Sequence, residues 1–443
     1  MFAPSRIRGP YGTHVTAELA LKTGRALANT HDQVVLGHDP KDNARLLADA
    51  VAMGVRECGS TVHRLGAVTS PTVSNALRRL DADVGIVATS AADPTDDTGF
   101  KLFDSDGSRL SWERQRRLVR NVNGPAVELA SWDDVGDSLR WDLATAYYIE
   151  WLCEGRSSVS DTHVVVDVGG HDTDTVAVAL ERLGCEVHRL TETDDTFPRQ
   201  RVSTGDDVCT SLCRTVATSE ADFGVAHDAD ADRLVAVDET GTVIGGDTLL
   251  ALFARNAVED ADGDAQVAVP LESSRRIEEV VERAGGSTVR TEMDHASGTT
   301  SVATTSVVFG GEPSGVHHWP DESPCPDAAL SAIHLAHIVD DGPRLSTQVQ
   351  AVEAYPLYFD SYPVENTARE MSRITSEARE RFDEVQTEDG VFVELDGAWF
   401  VVRPSRTEHA LRVTVEGTSN RSAKRLFERV HELVTKERAT VAP

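Results

Sequence analysis

Gly224-Val225-Ala226-His227-Asp228-Ala229-Asp230-Ala231-Asp232-Arg233-Leu234-Val235-Ala236-Val237-Asp238 is the stretch from which the rest of the chain can be read. The apolar runs on either side predict two strands, which puts three alternating aspartates on the turn between them. Carboxylates at i, i+2 and i+4 of a tight loop can bring their oxygens to one point. Unneutralised, they would repel on the order of several kcal/mol at intermediate dielectric. A hard divalent cation removes that cost, and oxygen-only ligation suits Mg²⁺ better than zinc. Asp228, Asp230 and Asp232 are therefore candidate metal ligands, and Arg233 offers its planar fork to a second anion such as a phosphate. Two other readings compete. One is a solvated turn in an acid-rich chain. The other is a calcium loop with Glu239 at its twelfth position, although Arg233 stands where that loop needs glycine and the flanks predict strands rather than helices.

Three more loops carry chemistry. Gly310-Gly311-Glu312-Pro313-Ser314-Gly315 follows a predicted strand; its glycines allow close backbone approach, and Glu312 and Ser314 can bond sugar hydroxyls. Arg403-Pro404-Ser405-Arg406-Thr407-Glu408 lies between strands and offers a guanidinium, two hydroxyls and turn amides to a phosphate. The third is Gly85-Ile86-Val87-Ala88-Thr89-Ser90-Ala91-Ala92-Asp93-Pro94, which leads into Gly99-Phe100-Lys101-Leu102.

Taken together, these loops resemble those of the α-D-phosphohexomutase superfamily, which comprises phosphoglucomutase, phosphomannomutase and phosphoglucosamine mutase. The aspartate run is similar to the superfamily's metal loop Asp-Gly-Asp-Ala-Asp-Arg, with Ala229 for glycine. The loop of Glu312 and Ser314 resembles its sugar loop Gly-Glu-x-Ser-Gly, with His317 and His318 displaced by one place from the usual single histidine. The loop of Arg403 resembles its phosphate loop Arg-Pro-Ser-Gly-Thr-Glu, with Arg406 for glycine. The loop at Ser90 is similar to the catalytic Thr-Ala-Ser-His-Asn-Pro. Aligned without gaps, however, the phosphorylated serine falls on Ala91, the histidine on Ala92 and the asparagine on Asp93, and Ser90 lies one residue earlier. Near the start, Ser5, Arg8 and Gly9 are kept from Gly-Thr-Ser-Gly-x-Arg-Gly, and Gly37 and Asp39 from Gly-Arg-Asp-x-Arg. Thr291-Glu292-Met293-Asp294-His295 stands for Thr-x-Val-Gly-Asp.

The resemblance implies three similar α/β domains with mixed sheets and a C-terminal α+β domain around a central cleft. It also implies interconversion of hexose 1- and 6-phosphates through a phosphoserine and Mg²⁺, with a hexose bisphosphate as activator and intermediate. Carried over by position, the catalytic residues are Ser90, Arg8 and Lys101. Glu312, Ser314, Arg403, Ser405 and Thr407 take the substrate, and Asp228, Asp230 and Asp232 the metal. Ala91 at the serine position leaves a second reading open, a catalytically silent homologue that binds a sugar phosphate or an active mutase for regulation. A phosphatase or kinase has less support, since no Walker-type loop occurs.

Composition bounds the partners. The chain has 443 residues, enough for three or four domains. Against 43 basic residues stand 73 acidic ones, a formal charge of -30. A surface this acidic repels nucleic acid and anionic membrane. Its acidity is spread along the chain rather than gathered in a tail, which reads as adaptation to a salty interior of the kind halophilic archaea keep. The six cysteines are scattered without zinc spacing, and free thiols are expected. No apolar run of membrane-spanning length occurs and the first residues lack a leader's apolar core, so a cytoplasmic protein is expected. Oligomeric state is not legible.

Along the chain, helical and strand patterns alternate through residues 1–148, 149–246 and 247–362, and the pattern changes in 363–443. A helix is expected from Leu139 to Cys153, and a break near Pro363.

Overall fold

The computed structural model describes residues 7–89, 97–125, 127–168, 174–190, 208–291, 306–387, 390–405 and 409–435. The first unit holds β1 (Ile7–Pro10), α1 (Ala17–Ala28), β2 (Gln33–His38), α2 (Asp42–Arg56), β3 (Thr61–Ala67), α3 (Ser70–Leu80), β4 (Val84–Thr89), β5 (Asp97–Asp104), α4 (Trp112–Val122) and β6 (Ser138–Arg140). Its sheet runs β1-β5-β4-β2-β3-β6. Strands β4, β2, β3 and β6 are parallel, β5 runs against them, and β1 pairs antiparallel with β5 and so shares the direction of the other four. Every residue of β4 is buried, as an unbroken apolar strand covered on both faces must be.

The second unit holds α5 (Ala144–Cys153), β7 (His163–Asp167), α6 (Thr175–Leu183), β8 (Glu186–Leu190), α7 (Thr210–Thr218), β9 (Phe223–His227) and β10 (Leu234–Asp238), with sheet order β10-β9-β7-β8. The third holds α8 (Gly246–Glu259), β11 (Gln266–Pro270), α9 (Arg275–Arg283), β12 (Ser287–Thr291), β13 (Val307–Glu312), β14 (Val316–His318), α10 (Ala328–Asp340) and α11 (Leu345–Val352), with sheet order β12-β11-β13-β14. In the fourth, β15 (Leu357–Pro363), α12 (Thr367–Arg381), β16 (Val391–Leu395), β17 (Ala398–Pro404), β18 (Ala410–Gly417) and α13 (Asn420–Thr435) form an antiparallel sheet, β15-β18-β17-β16, under two helices.

The expected class therefore stands: three α/β units with mixed sheets and a C-terminal α+β unit. Two details differ from the sequence reading. Leu139 belongs to edge strand β6, whose residues pair with Val62, His63 and Arg64, and the helix starts only at Ala144. The break expected at Pro363 falls at the end of β15, which pairs along its length with β18, so the fourth sheet begins at Leu357. Proline is tolerated there because β15 is an edge strand and Pro363 its last residue. Among the described residues no helix is long and apolar enough to cross a membrane.

The second and third units share one apolar core that runs from Val164 and Phe223 through Phe253 to Val267 and Phe309. Tyr148 joins them again by donating to Asp327 at 2.6 Å, the residue that caps α10. The fourth unit buries its own cluster around Phe400, Val413 and Val430. In each of the first three units an antiparallel hairpin, β4–β5, β9–β10 or β13–β14, closes one flank of the parallel strands. The hairpin loops are the stretches singled out by sequence, and the fourth such loop joins β17 to β18.

Candidate active site

The aspartate loop lies between β9 and β10 as expected, but not as a solvated turn: Asp230 is 6% exposed and Asp232 3%. Ala231 between them takes a left-handed φ of 53°, a strained setting for a residue with a side chain. Backbone contacts with neighbouring units hold it there. Ala328 donates to the Ala231 carbonyl at 2.9 Å, and Ser70, at the start of α3, to the Asp230 carbonyl at 3.2 Å. The sugar loop is tied to the same place, because Leu234 donates to the Gly315 carbonyl at 2.9 Å and Arg233 bridges to Val316. Gly315 needs its glycine twice over, with φ at +91° and a Cβ that would stand 2.5 Å from the Leu234 carbonyl oxygen.

The first unit brings cations to this loop. Lys101, on β5, places Nζ 2.6 Å from Asp230 Oδ2 and 2.8 Å from Asp232 Oδ2, and is itself 2% exposed. Arg109 forms a second ion pair with Asp232. Thr89, the last residue of β4 before the serine loop, donates to Asp230 Oδ1 at 2.8 Å. Asp228 turns Oδ1 to the amides of Asp232 and Arg233, at 3.0 and 3.2 Å. Burial first, then the charges of Asp232 and Asp230, push its carboxyl well above the usual range. Asp230 and Asp232 thus meet two cations, while Asp228 is held by backbone amides.

Among the described residues no three or more acidic, histidine or cysteine side chains are gathered as a metal cage. Asp230 and Asp232 direct oxygens to Lys101 instead. The donor set is nonetheless all oxygen, and the carboxyl of Asp228 is penalised by its neighbours' negative charge. That chemistry fits a hard cation.

Of the other expected residues, Glu312 and Ser314 come together, with Ser314 Oγ donating to Glu312 Oε2 at 3.1 Å. Arg8 lies on β1 opposite Gly99, with Nε 3.6 Å from Asp97 Oδ2. Arg403 ends up against the third unit, its Nε 2.6 Å from Glu272 Oε2, and the Ser405 amide donates to the Ala410 carbonyl at 2.8 Å. Ser90 and Thr407 lie outside the described residues. The two histidines separate by strand alternation. His317 packs on Phe253 at 4.9 Å and near Phe309 at 6.3 Å, its ring nitrogens without hydrogen-bond partners among the described residues, and burial pushes it down to about 3. It is a neutral ring within the aromatic core.

Sequence reasoning missed Thr89, Arg109 and Glu272. Thr89 carried a signal, being the residue at which β4 enters the catalytic loop. Arg109 and Glu272 reach their partners only through the packing of separate units.

Comparison with known proteins assigns the whole chain. Phosphoglucomutase/phosphomannomutase alpha/beta/alpha domain I matches residues 1–126, domain II 146–241, domain III 245–355, and the C-terminal domain 363–433. A protein named "Probable phosphoglucosamine mutase" from Methanopyrus kandleri is 34% identical over 441 residues, covering 98% of this chain and 97% of its own. Another of the same name, from Methanocella arvoryzae, is 33% identical over 438 residues, covering 98% of each. Among solved structures, a phosphoglucomutase/phosphomannomutase family protein from Burkholderia thailandensis superposes with a TM-score of 0.85 at 21% identity, over 99% of this chain and 98% of that one. A phosphoglucomutase from Paramecium, parafusin in its open form, gives 0.65 at 13% identity over 95% and 91%. Four domain matches in unbroken order, together with relatives 34% and 33% identical over 98% of the chain, mean that this chain belongs to the phosphoglucomutase/phosphomannomutase family.

Proposed function

We propose that the protein interconverts the 1- and 6-phosphates of a hexose, with glucosamine phosphate the substrate to test first because the relatives of highest identity quoted above carry that name. The observation that carries the reading is the junction of Lys101 and Thr89 with Asp230 and Asp232, which unites the end of the serine loop's strand with the aspartate loop. Asp228, Asp230 and Asp232 would hold Mg²⁺, which when bound supplies charge neutralisation to a transferring phosphoryl group.

In this reading Ser90 carries the phosphoryl group. The P–Oγ bond breaks as a sugar hydroxyl forms a new P–O bond, and the hydroxyl's proton ends on the released Ser90 Oγ. The resulting bisphosphate turns over, and its other phosphoryl group returns to Oγ. Lys101 and Arg8 stabilise the charge on the moving group. Glu312, oriented by Ser314, accepts from sugar hydroxyls, and Arg403, Ser405 and Thr407 take the phosphate that does not react.

The test is ³¹P NMR of glucosamine-, glucose- and mannose-1-phosphate in molar KCl with Mg²⁺ and a catalytic amount of the matching bisphosphate. Conversion to the 6-phosphate that vanishes in Ser90→Ala and Asp230→Ala supports the mechanism and names the sugar. Activity that survives Ser90→Ala removes the nucleophile assignment. Folded protein that converts none of the three is instead the silent homologue, the reading that Ala91 at the expected serine position favours.

A further inference from the structure

The fourth unit has its own apolar core, so polar contacts count for much in the seam that holds it to the third. They gather at the N-terminus of α9. Within the third unit Asp247 holds the Ser274 amide at 2.7 Å, and across the seam Glu416 of β18 accepts from the Arg275 amide at 3.0 Å. Trp399 Nε1 fixes the same Glu416 oxygen at 2.7 Å, and Arg275 forms an ion pair with Glu394 of β16. A further link is Glu272, just before α9, with Arg403 at the end of β17. Both residues are buried, Glu272 at 9% exposure and Arg403 at 7%. Nε stands 2.6 Å from Oε2 without its N–H aligned on that oxygen, so charge is what holds the pair.

Resting on the reading of Arg403 as a phosphate-binding residue, we propose that Glu272 is the resident counter-ion of Arg403, from which an entering phosphate takes the guanidinium. A buried guanidinium needs an anion, and Glu272 supplies it from the facing unit. A phosphate that comes to Arg403 is attracted by the guanidinium and repelled by the carboxylate beside it. Phosphate affinity and attachment of the fourth unit therefore oppose one another through one side chain.

Inorganic phosphate is the probe, titrated calorimetrically into the full-length protein at fixed ionic strength, with thermal melting as the check of folding. Glu272→Gln keeps the shape and removes the charge, and is expected to bind phosphate about tenfold more tightly, the scale of one partly screened charge interaction. A role confined to bracing the fold would leave affinity unchanged or lower it, and either result overturns the proposal. Glu272→Asp, with its charge drawn back by one methylene, is expected to gain about threefold and serves if Glu272→Gln does not fold. Absence of that gain also overturns the proposal. In an Arg403→Gln background the gain must disappear. Glu394→Gln loosens the seam without touching Arg403 and should stay within about twofold of the parent; a gain as large as that of Glu272→Gln would assign the effect to loosening and overturn the proposal. If Arg403→Gln alone binds phosphate as the parent does, the reading of Arg403 as a phosphate ligand is what fails.

Discussion

Histidines 317 and 318 show what one residue decides. By sequence either could have met the substrate, because a pair of neighbouring histidines carries no sign of which face each takes. The register of β14 against β13 places His317 opposite Gly311, with its ring in the aromatic core. A neutral imidazole there is tolerated, but its nitrogens lack hydrogen-bond partners among the described residues and its protonation is pushed down to about 3. The folded state therefore stays neutral at pH values where the unfolded chain, with a histidine pKa of about 6.5, takes up a proton. Stability from this group is full above pH 6.5 and is lost as pH falls toward the folded value. The loss is about 1.7 kcal/mol between pH 6.5 and 5. Urea melts at the two pH values should show His317→Leu to lose about that much less than the parent, and to be no less stable at pH 7 by more than about 1 kcal/mol. An equal pH dependence in both proteins would mean that the ring is not held neutral. At this scale the metal-loop aspartates were legible because their spacing alone carries the chemistry. Lys101 was legible only through resemblance. Arg109 and Glu272 were not, since the side chains they meet lie 123 and 131 positions away in sequence.

Elements were read well where periodicity was strong and poorly where packing decided. Helix α12 was expected at Thr367–Arg381 and occurs there, and the strands that flank the aspartate loop fall where the apolar runs put them. How helices cross was not legible. In α1 and α2 the backbones touch at Gly24 and Gly54. A Cβ on Gly24 would stand 2.2 Å from the Val51 carbonyl oxygen, and one on Gly54 2.2 Å from that of Leu21. Neither glycine has a positive φ, so the demand is for space alone. In an isolated helix Gly→Ala would stabilise by up to about 1 kcal/mol. Here overpacking against main chain wins, and Gly24→Ala or Gly54→Ala should destabilise the first unit by about 2–3 kcal/mol net. Because the two residues meet at one crossing, the double variant should cost less than the sum of the singles once the helices have been forced apart. Chemical denaturation of the three variants checks this. A stabilised single variant would mean that the crossing yields easily, and strict additivity would mean that the two glycines do not share it.

At the scale of the whole molecule, the order of four units was legible because the first three share an alternating strand and helix pattern that the fourth breaks, whereas their mutual placement rests on contacts between units that no local pattern contains. Charge acts at the same scale. A formal charge of -30 on 443 residues favours any state that spreads the acidic side chains apart, and unfolding does so. Screening shrinks that repulsion, since the Debye length falls from about 10 Å at 0.1 M salt to about 3 Å at 1 M. The interactions that hold the site together are not equally exposed to salt. Lys101, Asp230 and Asp232 are buried, so their attraction survives where surface repulsion is damped. The melting temperature should therefore rise steeply as KCl increases from 0.1 to about 1 M and flatten beyond, once the Debye length is shorter than the spacing of surface charges. NaCl should give the same curve at the same ionic strength, while sucrose, which does not screen, should give a shallow rise without the plateau. A melting temperature that falls with KCl would mean that surface ion pairs, such as those of Lys22 with Glu18 and Arg45 with Asp42, contribute more than the net repulsion they sit in. A rise in sucrose as large as in KCl would assign the stabilisation to solute exclusion and not to charge.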